Sequence, residues 1–153
     1  FKGINLLSSK VILVTGACGL LGQQIVREIV GQNCCVLATD TDTDKAESLF
    51  QALPSEQIQF EPLDIFDSDS IDLAIASGVK QFGSVHACVN SAYPRSKNWG
   101  TVLENLTMED IQEHLKLQLG GAILLSQRIM KHFISQGHGN LINLSSIQGV
   151  AAP

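Results

Sequence analysis

Five short runs of apolar and β-branched residues punctuate the chain: KVILVT (10–15), CCVLATD (34–40), IQFEPL (58–63), VHACVN (85–90) and NLINLS (140–145). Continuous runs of this kind predict strands covered on both faces. Between them, segments at 19–31, 42–53, 68–80 and 107–135 read as helices. Strands that alternate with helices of this length predict right-handed βαβ units. The expected fold is therefore α/β, a doubly wound parallel sheet of Rossmann-like type with five strands in the order 3-2-1-4-5. The last helix opens on a capping box from Thr107 to Asp110. It carries Ile111, Leu115, Ala122, Leu125, Ile129 and Phe133 on one stripe,. Gln118 falls on the same stripe, and Gly120 and Gly121 after it predict a kink or a close backbone contact.

Composition narrows the partners. The chain has 153 residues, 44% hydrophobic and 16% charged, enough apolar material for one domain with a sizeable core,. No Pro/Gly/Ser linker or internal repeat divides it, so residues 1–153 read as a single domain. A formal charge of -5, with ten scattered basic residues, gives no electrostatic reason to bind nucleic acid or an acidic membrane surface,. No apolar run approaches a membrane span and the first residues lack a signal-peptide pattern, so a cytosolic location is expected. Cys18, Cys34, Cys35 and Cys88 form no C-x-x-C pair and read as reduced, core-packing thiols,. His86, His114, His132 and His138 make no metal-ligand spacing with them, so no metal is expected.

The chemistry gathers after the first strand, where TGACGLLG places Gly16, Gly19 and Gly22 at the spacing G-x-x-G-x-x-G. Glycines in a strand-to-helix turn allow unusual dihedrals and a close approach of a diphosphate, while the helix start presents unsatisfied N–H groups. Cys18, Leu20 and Leu21 lie within the same turn. The second strand ends at Asp40, close to the distance beyond the glycines at which an acid binds an adenosine ribose. A carboxylate there accepts from the ribose hydroxyls and repels a 2′-phosphate, which favours NAD over NADP. No basic residue adjoins it; Lys45 is the nearest.

These features resemble the short-chain dehydrogenase/reductase family over almost the whole chain. Thr15 and the three glycines match its cofactor turn, in a spacing commoner among its sugar-nucleotide epimerases and dehydratases. Asp64 and Ile65 in PLDIFD look like the family's adenine-contacting pair. VNSAY (89–93), with Asn90, Ser91 and Ala92, is similar to the Asn-Asn-Ala-Gly that closes the cofactor cleft. INLSSIQG (142–149) resembles the segment carrying the catalytic serine, which the resemblance places at Ser146, with Ser145 as its structural neighbour. NSAYPRSKNWG and SSIQGVAAP are similar to the family's subgroup acting in bacterial flagellin modification and unusual-sugar biosynthesis.

Two departures stand out. Tyr93 replaces the last glycine of the cleft motif, which implies a narrower pocket or a displaced loop. Gln118 stands where the family has an asparagine of a proton relay; it either serves that relay or bonds to neighbouring backbone. The family's Tyr-x-x-x-Lys is also missing. Tyr93 and Lys97 have that spacing, but Pro94 disfavours helical dihedrals at Tyr93, and the pair precedes the serine. The resemblance thus implies the N-terminal portion of a longer protein, homo-oligomeric when complete and inactive as this portion alone.

The function expected is an NAD-dependent oxidoreductase interconverting a hydroxyl and a ketone on a small, sugar-derived substrate. The alternatives are a sugar-nucleotide epimerase or dehydratase, and a non-catalytic NAD-binding regulator. Tyr93, Arg95 and Lys97 would meet an anionic group on the sugar, or be solvated loop residues. Trp99 beside them is a stacking platform or simple packing.

Overall fold

The computed structural model describes residues 9–147. Strand β1 (Val11–Thr15) leads through the glycine turn into α1 (Leu20–Gly31). Next come β2 (Cys35–Asp40), α2 (Thr43–Phe50), β3 (Ile58–Pro62), α3 (Ser68–Phe82) and β4 (Ala87–Asn90). A long connection with one 3-10 turn (Leu103–Asn105) reaches α4 (Met108–Leu115). A π-turn (Lys116–Gly120) joins α4 to α5 (Gly121–Gln136), and β5 (Asn140–Asn143) follows. All strand pairings are parallel and the order is β3-β2-β1-β4-β5, as the alternation predicts.

Successive side chains of a strand point to opposite faces, and β1 shows the consequence. Ile12 and Val14 join Val26, Val30, Val36, Ala38 and Phe50 in the core under α1 and α2. Leu13 joins Leu37, Ile71, Val85, Leu125, Ile129 and Phe133 under α3 and α5. The central strand is thus covered on both sides. The edges are not: every residue of β3 is at least partly exposed, and in β5 only Leu141 packs against the core. For these two strands the expectation of cover on both faces fails, because each has a neighbour on one side only.

The segment 107–135 departs most from expectation. The capping box at Thr107 and Asp110 is present, but the π-turn breaks the helix, and Ile111 and Leu115 are 39% and 57% exposed. Leu125, Ile129 and Phe133 are buried as expected. In α4 the inward positions are Asp110, buried, and His114, half-buried. Gly121 supplies the expected close contact, since a Cβ there would stand 2.6 Å from Ile65 Cδ1 and 2.7 Å from Phe66 Cε1. Gly120 faces open space.

At the N-terminal edge of the sheet, His86 Nδ1 accepts the Val11 N–H at 3.1 Å, and its ring lies 5.4 Å from that of His138. Burial first, then Lys10 and His138, lower the His86 pKa. Burial and His138 also lower that of His132, against a raising hydrogen bond from Gln136. Both groups bind protons less readily folded than unfolded, so this stability is complete above the unfolded value near 6.5 and is lost as pH falls from there toward the folded values. The urea midpoint is expected to fall between pH 7.5 and 5.5, and to fall less in His86→Asn, whose amide oxygen can still accept from Val11. An equal fall in that variant would show that His86 contributes nothing.

Candidate functional site

The C-terminal ends of β1, β2 and β4 form the crest of the sheet, and the order reverses there between β1 and β4, where open α/β sheets bind ligands,. A cleft of about 570 Å³ opens at this place. One wall is the glycine turn with Cys18, Leu20 and Leu21; others are the ends of β2 and β3 with Asp40, Asp64 and Ile65, and the segment after β4 with Ser91, Ala92, Tyr93 and Arg95.

Each glycine of the turn has its own reason. Gly16 has φ +63°, and a Cβ there would stand 2.8 Å from Ala92 Cα, so it lets the turn nest against the end of β4. At Gly22 a Cβ would lie 2.0 Å from the Gly16 carbonyl oxygen, so α1 starts this close to the strand only with glycine. Gly19 meets just the Gly16 oxygen, at 3.1 Å, and caps α1 without a side chain. The first turn of α1 therefore offers its N–H groups with neither a capping oxygen nor an acidic residue to occupy them,. That arrangement fits a phosphate.

Asp40 is locked at the end of β2. Its Oδ2 accepts the Cys18 N–H at 2.9 Å, and its Oδ1 accepts the Asp42 N–H at 3.1 Å. Both carboxylate oxygens keep further acceptor capacity on the cleft side. The Cys18 thiol beneath is 2% exposed, and burial together with Asp40 and Asp42 pushes its pKa up to about 11, so it is no nucleophile,. Lys45 lines the same end of the cleft, one turn into α2. Asp64 caps the turn after β3 by accepting the Phe66 N–H at 2.9 Å, and the Ile65 side chain is buried.

Asn90 lies beneath the cleft and does not line it. Thr15 Oγ1 donates to its Oδ1 at 2.7 Å, and its Nδ2 donates to Asn143 Oδ1 at 3.0 Å. This bridge, buried at Thr15 and Asn90, ties β1, β4 and β5 together at the crest. Ser91 Oγ donates to the Thr15 carbonyl at 2.5 Å, which fixes the first residue of the wall. Ser145 and Ser146 follow β5 beyond Asn143, the register partner of Asn90, and both are exposed. Gln148 and Gly149, which complete the INLSSIQG segment, lie outside the described residues.

Residues 91–96 are not helical, so Tyr93 and Lys97 do not share a helix face. Tyr93 lies at the cleft mouth with Trp99 edge-on to it, ring centroids 5.4 Å apart. Lys97 is exposed and away from the cleft lining. The Gln118 side-chain nitrogen donates to the Pro94 carbonyl, which commits one of its two N–H donors to neighbouring backbone,. Thr41, Asp42, Lys45, Leu63, Phe66 and Pro94 line the cleft without having been expected there from the sequence. The signal was adjacency: each lies within five residues of one that was.

A doubly wound sheet with an open helix start and a locked carboxylate at its switch point defines the dinucleotide-binding class of α/β proteins. Residues 10–153 match the model of the short chain dehydrogenase family, and the chain belongs to that family. It is 36% identical over 152 residues to post-translational flagellin modification protein A of Campylobacter coli, covering 97% of this chain and 59% of that protein. It is 28% identical over 151 residues to 7alpha-hydroxysteroid dehydrogenase of Bacteroides fragilis, covering 97% and 58%. A short-chain type dehydrogenase/reductase from Mycobacterium ulcerans superposes with a TM-score of 0.84 at 22% identity, over 96% of this chain and 55% of that one. One from Brucella melitensis gives 0.82 at 18%, over 96% and 60%; at these identities the two show the fold alone. The chain thus spans about three fifths of the length of its relatives. Among the described residues no helix is long and apolar enough to cross a membrane.

Proposed function

We propose that the protein is the nucleotide-binding portion of an NAD-dependent oxidoreductase that interconverts a hydroxyl and a ketone on a small, sugar-derived substrate. The observation that carries this reading is the Asp40 carboxylate, held by two backbone N–H groups, one of them in the glycine turn that leads to the uncapped start of α1. The turn at Gly16–Gly22 would hold the diphosphate, Asp40 the adenosine ribose, and Asp64 and Ile65 the adenine. When bound, the nicotinamide supplies a hydride acceptor. Ser146 would donate a hydrogen bond to the reacting oxygen and stabilise the negative charge that develops there. Gln118 assists by holding the Pro94 backbone, the second of its two expected roles. The substrate class draws support from the flagellin-modification relative and from Arg95 at the cleft, and the protein would act in the cytosol as a homo-oligomer.

Cofactor choice is decided by charge. Asp40 and Asp42 would repel a 2′-phosphate, whereas Lys45 is the one cation at that end of the cleft lining. Two carboxylates beside the ribose outweigh one flexible ammonium, so NADH is expected to bind full-length protein about 10-fold or more tighter than NADPH. Asp40→Asn should shrink that ratio. Nicotinamide fluorescence checks both statements. NADPH binding as tightly as NADH would overturn the choice of cofactor, and saturation by neither would remove the dinucleotide reading altogether.

A further inference from the structure

The segment after β4 is fastened to α4 and the π-turn below it by a ladder of three rungs. Asp110, His114 and Gln118 lie on successive turns and share one face. Gln118 donates to the Pro94 carbonyl, His114 Nε2 lies 2.6 Å from Ser96 Oγ, and Asn98 Nδ2 donates to Asp110 Oδ1 at 2.5 Å. Thr107 adds two hydrogen bonds to the other oxygen of Asp110, through its N–H at 3.0 Å and its hydroxyl at 2.8 Å, so the lowest rung is anchored in the capping box. The pairing is antiparallel and takes every second residue of the segment.

Exposure alternates along residues 93–97, which sorts this stretch into two sides, while Asn98 stands exposed in the turn at 97–100. Ser96 is buried and Pro94 half-buried, whereas Tyr93, Arg95 and Lys97 are exposed. Tyr93 and Arg95 line the cleft, with Pro94 between them. The Arg95 guanidinium stands 5.8 Å from the Tyr93 ring centre and has no carboxylate partner among the described residues. Trp99 braces Tyr93 from the side, and its own ring is 5.8 Å from that of His114. A slip of one residue would turn Tyr93 and Arg95 toward the helix and bring the buried Ser96 outward.

We propose that Asp110, His114 and Gln118 are positioning residues that set the register of a recognition strip. In that strip Tyr93 and Trp99 form an aromatic edge and Arg95 an anion fork, for a sugar ring bearing a carboxylate or phosphate. The inference rests on the reading of the cleft given above and deepens it. Arg95 presents paired donors that match the two oxygens of either anion, and aromatic side chains pack against the C–H faces of sugar rings. The other cation of the lining, Lys45, belongs to the Asp40 end, so the two charges address different parts of what the cleft holds. It also gives Gln118 a purpose in place of a relay. Its longer arm spans from the π-turn to the Pro94 backbone, and one of its two N–H donors is committed there,.

The test uses full-length protein, with Trp99 fluorescence isolated by subtracting the signal of Trp99→Phe. The probes are glucose 6-phosphate, glucuronate, glucose and inorganic phosphate. An anionic sugar is expected to give a saturable change at about 10-fold or more lower concentration than glucose or inorganic phosphate, and Arg95→Gln should abolish that preference. Gln118→Leu should weaken the anionic sugar about 5-fold or more while NADH affinity stays within about 2-fold, and Gln118→Lys, which retains a donor, should recover most of the loss. Equal binding of charged and neutral sugars by the parent protein overturns the proposal. So does Gln118→Leu leaving the sugar unaffected, or weakening sugar and NADH alike. If NADH saturates and no anionic sugar does, only the strip fails; if the sugar binds and NADH does not, the dinucleotide reading fails instead.

Discussion

Gly22→Ala is expected to abolish saturable NADH binding and to lower the melting temperature of the full-length protein. The added Cβ would lie 2.0 Å from the Gly16 oxygen and 2.8 Å from Ala17 Cα, and both obstacles are backbone. No rotamer change can relieve such a clash, so α1 must move away from the strand and carry its open N–H groups with it. Overpacking typically costs about 1–3 kcal/mol, and a backbone clash belongs at the upper end, so a fall of roughly 6 °C or more follows. Gly31→Ala is the control: it ends the same helix and a Cβ there meets nothing within 4 Å. NADH affinity of Gly22→Ala within about 3-fold of the parent would show that the turn does not cradle the diphosphate.

Ser146→Ala is expected to cut turnover of the full-length enzyme by about 10²–10³-fold, the usual effect of deleting one donor to a developing oxyanion. Ser146 lies just beyond the crest end of β5, and that end is held in register by Asn143 against Asn90. NADH affinity should be unchanged, since the residue lies on the far side of β4 from the glycine turn. Ser145→Ala serves as the neighbour control and should retain most activity. Turnover of Ser146→Ala within a few-fold of the parent would remove Ser146 from the reacting site.

The parts of the fold that were legible in the sequence are those set by local chemistry. Thr15, the glycine turn and Asp40 declare themselves because a strand, a tight turn and a strand end each need particular residue types at fixed spacing, and all of them line or border the cleft. The burial of β3 and β5 was misread because an apolar run states that a strand can be covered, not that two neighbours exist to cover it. The helix after residue 107 misled for another reason. Ile111 and Leu115 give the stronger apolar signal, yet Asp110 and His114 turn inward, because the loop above supplies each with a polar partner. Their spacing of four with Gln118 was visible, but the alternating partners Pro94, Ser96 and Asn98 sit in a segment without periodicity. Asn90 shows the same limit on a smaller scale, since only the fold brings Thr15 and Asn143 to it.

The central place of β1 also bears on how the molecule is made. Val11–Thr15 leaves the ribosome some 75 residues ahead of its β4 partner. The face bearing Leu13 waits longer still, until Leu125, Ile129 and Phe133 have been synthesised. Parallel pairing of this span cannot be completed locally, so one face of a sticky pentapeptide stays uncovered until those residues emerge,. A nascent chain of this design keeps apolar surface open in the meantime, and its yield should respond to the pace of elongation more than to the strength of any single finished contact.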